Sequence, residues 1–144
     1  MGSQLNPCIS CNEIARQAME FYQEVFGGAL EMGTVSDFGS PDSPNADKLM
    51  HARLDTPDGY TLMAWDVAEG VPYHPSNNVA VYLGGDDGEL RGHFEKLSAG
   101  GIVTMPLEKQ AWRDEAGALV DQFGITWMLN MKRQQTSSTT ELLR

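Results

Sequence analysis

"FYQEVFGGALEM" (residues 21–32) and "FEKLSAGGIVTM" (residues 94–105) are two versions of one pattern. Phe21 falls on Phe94, Gly27-Gly28 on Gly100-Gly101 and Met32 on Met105, at an offset of 73 residues (94 − 21). A second match lies downstream. "LDTPDGYTLM" from Leu54 sits on "LVDQFGITWM" from Leu119 at an offset of 65 (119 − 54), and Gly59/Gly124, Thr61/Thr126 and Met63/Met128 coincide. Order and phase agree twice, which is the signature of an internal duplication. The offsets differ by 8 residues (73 − 65), and "SDFGSPDSPNADK" (36–48) supplies the excess in the first copy as a loop rich in turn-forming residues.

Each copy follows the same local pattern. Ile14, Ala18, Phe21 and Val25 have helical spacing, with Asn12 as a candidate cap and Gly27 as the stop. Leu90, Phe94 and Leu97 repeat it; Asp86 with Glu89 resembles a capping box, and Gly100 ends the helix. One strand candidate precedes each helix, "CISC" or "NVAVYL". Three follow, "ALEMGTV", "LMHARL" and "YTLMAW" in the first copy, then "GIVTM", "AGALV" and "ITWML" in the second. "DTPDGY" and "DQFG" join the last two strands of each copy as turns. The predicted class is α+β: two βαβββ modules, about 4–67 and 76–131, forming a single domain over 1–131. The polar segment 132–144 lies outside the repeat and reads as disordered or as a docking segment.

Cys8 and Cys11 stand at the C-x-x-C spacing just before the first helix. Such a pair serves redox or zinc chemistry when both thiols meet at one point. Here they occupy a strand, where positions i and i+3 point to opposite faces. Neither His51, His74 nor His93 shows a paired spacing that would complete a zinc site. The pair is therefore read as structural, free cysteine being commonly a core residue.

Composition narrows the partners. Twenty acidic residues against 10 basic ones give a net charge of −10, which repels nucleic-acid backbones and anionic membranes. No run approaches the ~18 apolar residues of a membrane span, and no secretion signal opens the chain, so a cytoplasmic location is expected.

The stretches "AMEFYQEVFGG" (18–28) after an "NP-x-x-S" strand, "MHARL" (50–54) and the closing "D-x-FG-x-x-WM-x-N" (121–130) resemble PhnB-like proteins. These belong to the glyoxalase, bleomycin-resistance and extradiol-dioxygenase group, the vicinal oxygen chelate superfamily. The resemblance covers about residues 4–131 and implies sheets curled into an incomplete barrel around a pocket, usually in a homodimer. In metal-using members of the group, four ligands come from the first and last strands of each module. Those positions match Pro7, Met63, Asn78 and Met128 here. Proline offers no side-chain donor, methionine is a poor ligand for hard divalent ions and asparagine a modest one, so no metal is expected there and no cofactor is assigned. A cofactor loop in "YLGGDDGEL" (82–90) is set aside because Asp86 and Asp87 would repel phosphate.

Period-2 alternation sorts the strand residues. Met50, Ala52, Leu54, Leu62, Ala64, Val79, Val81 and Leu83 suit the helix-packed faces. His51, Arg53, Thr61, Met63, Trp65, Asn78, Ala80 and Tyr82 fall opposite, with Trp112, Asp114, Ala116, Ala118, Thr126, Met128 and Asn130 in the last strands. Ten of these are the ligand-binding candidates: His51, Arg53, Met63, Trp65, Asn78, Tyr82, Trp112, Asp114, Met128 and Asn130. Apolar walls with a few polar groups suit a small molecule, and aromatic rings suit a planar one. His51 is the best acid–base candidate, and Arg53 would pair an anion or a neighbouring Asp55 or Asp114. His74 is read as a surface loop residue and His93 as exposed mid-helix. The expected function is metal-independent binding of a small molecule by a homodimer. The competing readings are a metal-dependent lyase, isomerase or dioxygenase with ligands such as His51 and Asp114, and a dimer whose tryptophans only fill an interface.

Overall fold

The computed structural model describes residues 2–39, 41–86 and 88–132. The chain divides between Pro75 and Ser76 into two compact units. The first holds β1 (Cys8–Cys11), α1 (Ala15–Phe26), β2 (Ala29–Thr34), a 3-10 turn (Ser36–Phe38), β3 (Leu49–Asp55) and β4 (Thr61–Asp66). The second holds β5 (Ala80–Gly85), α2 (Leu90–Ser98), β6 (Ile102–Lys109), β7 (Glu115–Val120) and β8 (Thr126–Met131). The sheet orders are β1-β4-β3-β2 and β5-β8-β7-β6, so the first and last strands of each module lie side by side and parallel. The predicted α+β class, with a βαβββ module in each half, is the fold observed. Both sheets are open and mixed, each carrying one helix.

The repeat reappears as matched backbone geometry. Thr56 and Asp121 donate their N–H groups to Tyr60 and Ile125 at 2.9 and 2.8 Å. Gly59 and Gly124 close the same turns at 3.0 and 2.9 Å, with φ of +87° and +85°, a conformation natural to glycine. The glycine pairs have an equally specific role. A β-carbon on Gly28 would strike the carbonyl oxygen of Asp55, and one on Gly101 would strike that of Val120. Backbone runs directly against backbone where each chain leaves its helix and enters β2 or β6.

One face of each sheet packs on its helix. α1 buries Ala15, Ala18, Met19, Tyr22, Val25 and Phe26, while Ala52, Leu54, Leu62 and Ala64 are buried on the sheet. Ile14 and Phe21 are only half-buried, so the apolar stripe is rotated from the expected one and led by Ala15, Ala18 and Tyr22. α2 buries Leu90, His93, Phe94 and Leu97, with Leu83, Leu119, Trp127 and Leu129 buried in its sheet. His93 is therefore a core residue rather than an exposed one, because its helical phase places it beside Phe94 and Leu97. Met50 and Val79, expected on the packed faces, are exposed. Met50 lies at the start of β3, and Val79 precedes β5.

The caps also differ from the sequence reading. α1 begins at Ala15, after Ile14, and Asn12 does not cap it. The donor is satisfied from the far end of the module: Asp66, at the end of β4, accepts the Ala15 N–H at 3.0 Å through Oδ1 and the Leu49 N–H at 2.9 Å through Oδ2. No acidic residue stands in the first turn of α1, so this carboxylate also supplies the negative charge a helix N-terminus favours. In the second unit Glu89 precedes α2 without a side-chain cap, and Asp86 forms no capping box. There the buried carboxylate is Asp121, which accepts from the Phe123 and Ile125 N–H groups at 2.9 and 3.1 Å and from the Trp127 indole at 2.8 Å.

Replacing either carboxylate leaves buried donors unmatched, each worth about 1–3 kcal/mol. Asp66→Ala and Asp121→Ala should each lose about 3 kcal/mol in urea unfolding with an unchanged m-value. A loss below about 0.5 kcal/mol, the scale of a surface substitution, would show that neither carboxylate is an anchor.

Candidate ligand-binding faces

Strand register decides which side chains share the helix-free face of the first sheet. Cys8 lies beside Met63 and Ser10 beside Trp65 across the parallel pair. Arg53 lies opposite Met63, Asp55 opposite Thr61, Glu31 opposite Arg53 and Gly33 opposite His51. The structure thus places His51, Arg53, Met63 and Trp65 on one face, together with Cys8 and Ser10. The polar groups are tied together. Trp65 Nε1 donates to Ser10 Oγ at 2.9 Å, Arg53 Nε to Asp55 Oδ2 at 2.9 Å, and Thr61 Oγ1 to Asp55 Oδ1 at 2.8 Å.

Ionisation follows from these contacts. Hydrogen bonds from Arg53 and then Thr61 hold the Asp55 carboxyl below the usual carboxylate range. The same bond to Asp55 raises the Arg53 guanidinium. Partial burial pushes the Cys8 thiol up, which makes it a poorer nucleophile. Cys8 is exposed and Cys11 buried, both free, so the two thiols do face opposite sides of β1.

The second sheet carries a more organised array. Trp112 Nε1 donates to Asn130 Oδ1 at 3.0 Å, and Asn130 Nδ2 donates to Asp114 Oδ2 at 2.9 Å. One amide is thereby fixed between an indole and a carboxylate. Beside it, Tyr82 pairs with Met128 and Gly84 with Asn130 across β5 and β8. The Tyr82 ring lies over Gly84, where a β-carbon would displace it from this position. Tyr82, Trp112 and Met128 remain 61%, 58% and 49% exposed. These three large side chains are thus outside the packed core of the unit.

Asn78 is not brought into this array: it precedes β5, is exposed, and accepts the Ser76 hydroxyl at 2.9 Å. Pro7 likewise precedes β1 and contributes only its carbonyl, to the Met63 N–H at 3.0 Å. The residues facing Met63 and Met128 are therefore Cys8 and Tyr82. The helix motif does not carry its match into the preceding strands, because the parallel ladder sets its own register. Ser10 was missed as the acceptor for Trp65; its alternation with Cys8 in "CISC" is the signal that places it. A thiol, a phenol and two thioethers at the paired first- and last-strand positions do not fit a hard divalent ion.

Comparison with known proteins agrees with this architecture. Residues 5–129 match the Glyoxalase/Bleomycin resistance protein/Dioxygenase superfamily. The chain belongs to this superfamily. Its members bind small molecules and often dimerise. Protein PA1353 of Pseudomonas aeruginosa is 32% identical, with a TM-score of 0.79 over 92% of this chain and 100% of that one. A PhnB protein of Bacillus cereus superposes with a TM-score of 0.67 at 23% identity, over 90% of this chain and 99% of its own. The fosfomycin resistance protein FosX of Listeria monocytogenes, in complex with Mn(II) and sulfate, shares the fold at a TM-score of 0.57 and 11% identity, over 96% and 98% of the two chains. None of the described helices is long and apolar enough to cross a membrane.

The Arg53–Asp55 pair gives a pH prediction with a definite sign. A depressed carboxyl contributes stability that is present above its unfolded pKa, near about 4, and lost as pH falls through the lowered folded value. In Arg53→Met the Asp55 carboxyl should titrate at higher pH than in the parent, held partly down by Thr61, as read from its carboxyl carbon by NMR. Identical titrations would mean that the pair does not form in solution.

Proposed function

We propose that this protein binds a small, partly apolar or planar molecule without using a metal, and that the helix-free face of the second sheet is a principal contact surface. The observation that carries the reading is the Trp112–Asn130–Asp114 chain of hydrogen bonds beside exposed Tyr82 and Met128. The indole is oriented before any ligand arrives, which lowers the ordering cost of binding. Asn130 and Asp114 flank it with polar groups that give direction. In the first sheet Trp65 and Met63 offer the apolar part, His51 and Arg53 the polar part. The donor set at the paired strand positions supports the metal-free reading. A homodimer in the cytoplasm completes the proposal: membership of a superfamily that often dimerises supports the first, and the acidic chain suits a soluble compartment.

A second reading draws on FosX, which shares the fold and is seen with Mn(II). On that reading the chain would be a metal-dependent enzyme with ligands outside the paired strand positions. Elemental analysis of protein purified without chelator separates the two. The metal-free reading expects well under one equivalent of any divalent ion, and a stoichiometric metal would overturn it. The binding surface is tested by titrating benzoate, indole-3-acetate, nicotinamide and riboflavin against tryptophan emission. At least one should quench saturably, and Trp112→Ala should weaken its affinity about tenfold, the scale of one lost aromatic contact of about 1.4 kcal/mol. An unchanged dissociation constant in Trp112→Ala, read from the remaining tryptophans, would remove the second sheet from the site.

A further inference from the structure

We propose a separate site for a small phosphate ester at the strand ends of the second unit. A cleft of about 430 Å³ lies there, lined by Lys109 at the end of β6, Arg113 in the β6–β7 turn and Lys132 just after β8, with Asp86, Glu115 and Met131 among the other walls. That volume accommodates a three- to six-carbon phosphate. Three other cations are already engaged. Arg53 pairs with Asp55, Arg91 with Glu115, and the Lys48 amine donates to the Val67 carbonyl. The side chains of Lys109, Arg113 and Lys132 form no hydrogen bond or ion pair among the described residues. With Glu115 neutralised by Arg91, three cations face a single carboxylate, Asp86.

Backbone geometry supplies an independent argument. The turn closes through Arg113 N–H to Gln110 O at 2.9 Å and Gln110 N–H to Asp114 O at 2.8 Å. Arg113 sits at φ +78°, one of two non-glycine residues with positive φ among those described. This position follows a tight turn and ordinarily belongs to glycine or asparagine. Arginine there strains the backbone, and strain held at a cleft wall points to a use for the side chain. A guanidinium binds a phosphate through two parallel hydrogen bonds, and the lysines add point charges. The chain's net charge of −10 opposes an anion from a distance, but at physiological salt that repulsion fades beyond about 8 Å and the local cations dominate. Asp86 is placed to accept from a hydroxyl of the same ligand. The ligand class is therefore a hydroxylated phosphate ester rather than bare phosphate.

Calorimetry with glycerol 3-phosphate and methyl phosphate tests this on the full chain. Glycerol 3-phosphate should bind saturably, more tightly than methyl phosphate, and more weakly as NaCl is added. Arg113→Gly should lower its affinity at least about tenfold while raising Tm, since glycine relieves the turn. Lys109→Met should weaken binding several-fold without moving Tm, which keeps the test independent of the turn. Absence of saturable binding, or equal affinity in Arg113→Gly and the parent, would overturn the site. A lower Tm in Arg113→Gly would overturn the strain argument, and equal affinity for the two esters would overturn the role of Asp86.

Discussion

Backbone pressed on backbone at Gly28 and Gly101 is the constraint from which the rest of each module follows. Because no side chain fits between these residues and the ends of β3 and β7, the chain can turn from helix into strand at only one place. That point fixes Ala29 against Asp55 and Ile102 against Val120, and the first pair sets the register up to the irregularities at Gly33–Thr34 and beyond Val103. A slip of one residue would send Arg53 and Asp55 into the helix-packed face and expose Leu54. The candidate surfaces thus depend on two glycine pairs that are not themselves part of them.

The buried carboxylates do the complementary work of closing each module. Asp66 gathers the start of α1 and the start of β3 onto the end of β4, and Asp121 gathers a turn and the Trp127 indole. Both accept from N–H donors, which satisfy a buried carboxylate. The two modules have reached the same end with different residues at different places, since the turn residue matching Asp121 in the first unit is Thr56.

The duplication, the element order and most of the face assignment were legible in the sequence because they rest on short-range rules: glycine at a forced turn, period two in strands, helical spacing of apolar residues. His51, Arg53, Met63 and Trp65 fell on one face for that reason, as did Tyr82, Met128 and Asn130 on the other sheet. What escaped depended on partners distant in sequence. The cap of α1 lies 51 positions away, at Asp66, and no local pattern announces it. Burial of His93 needed the rotation of α2 about its axis, and the pairing of Cys8 with Met63 and Tyr82 with Met128 needed the register of a parallel ladder. Of the tail read in sequence over 132–144, residues 133–144 lie outside the described part of the chain.

The excursion between β2 and β3 has a consequence of its own. It is clasped at its base: Val35 donates to the Lys48 carbonyl at 3.0 Å, Ser36 to Ala46 at 3.0 Å, and Leu49 is held by Asp66. Because the stem is pinned, length added or removed at the tip around residues 41–44 does not reach the strands. The first module therefore carries a natural grafting point, where foreign sequence could be displayed while the two ladders stay in step.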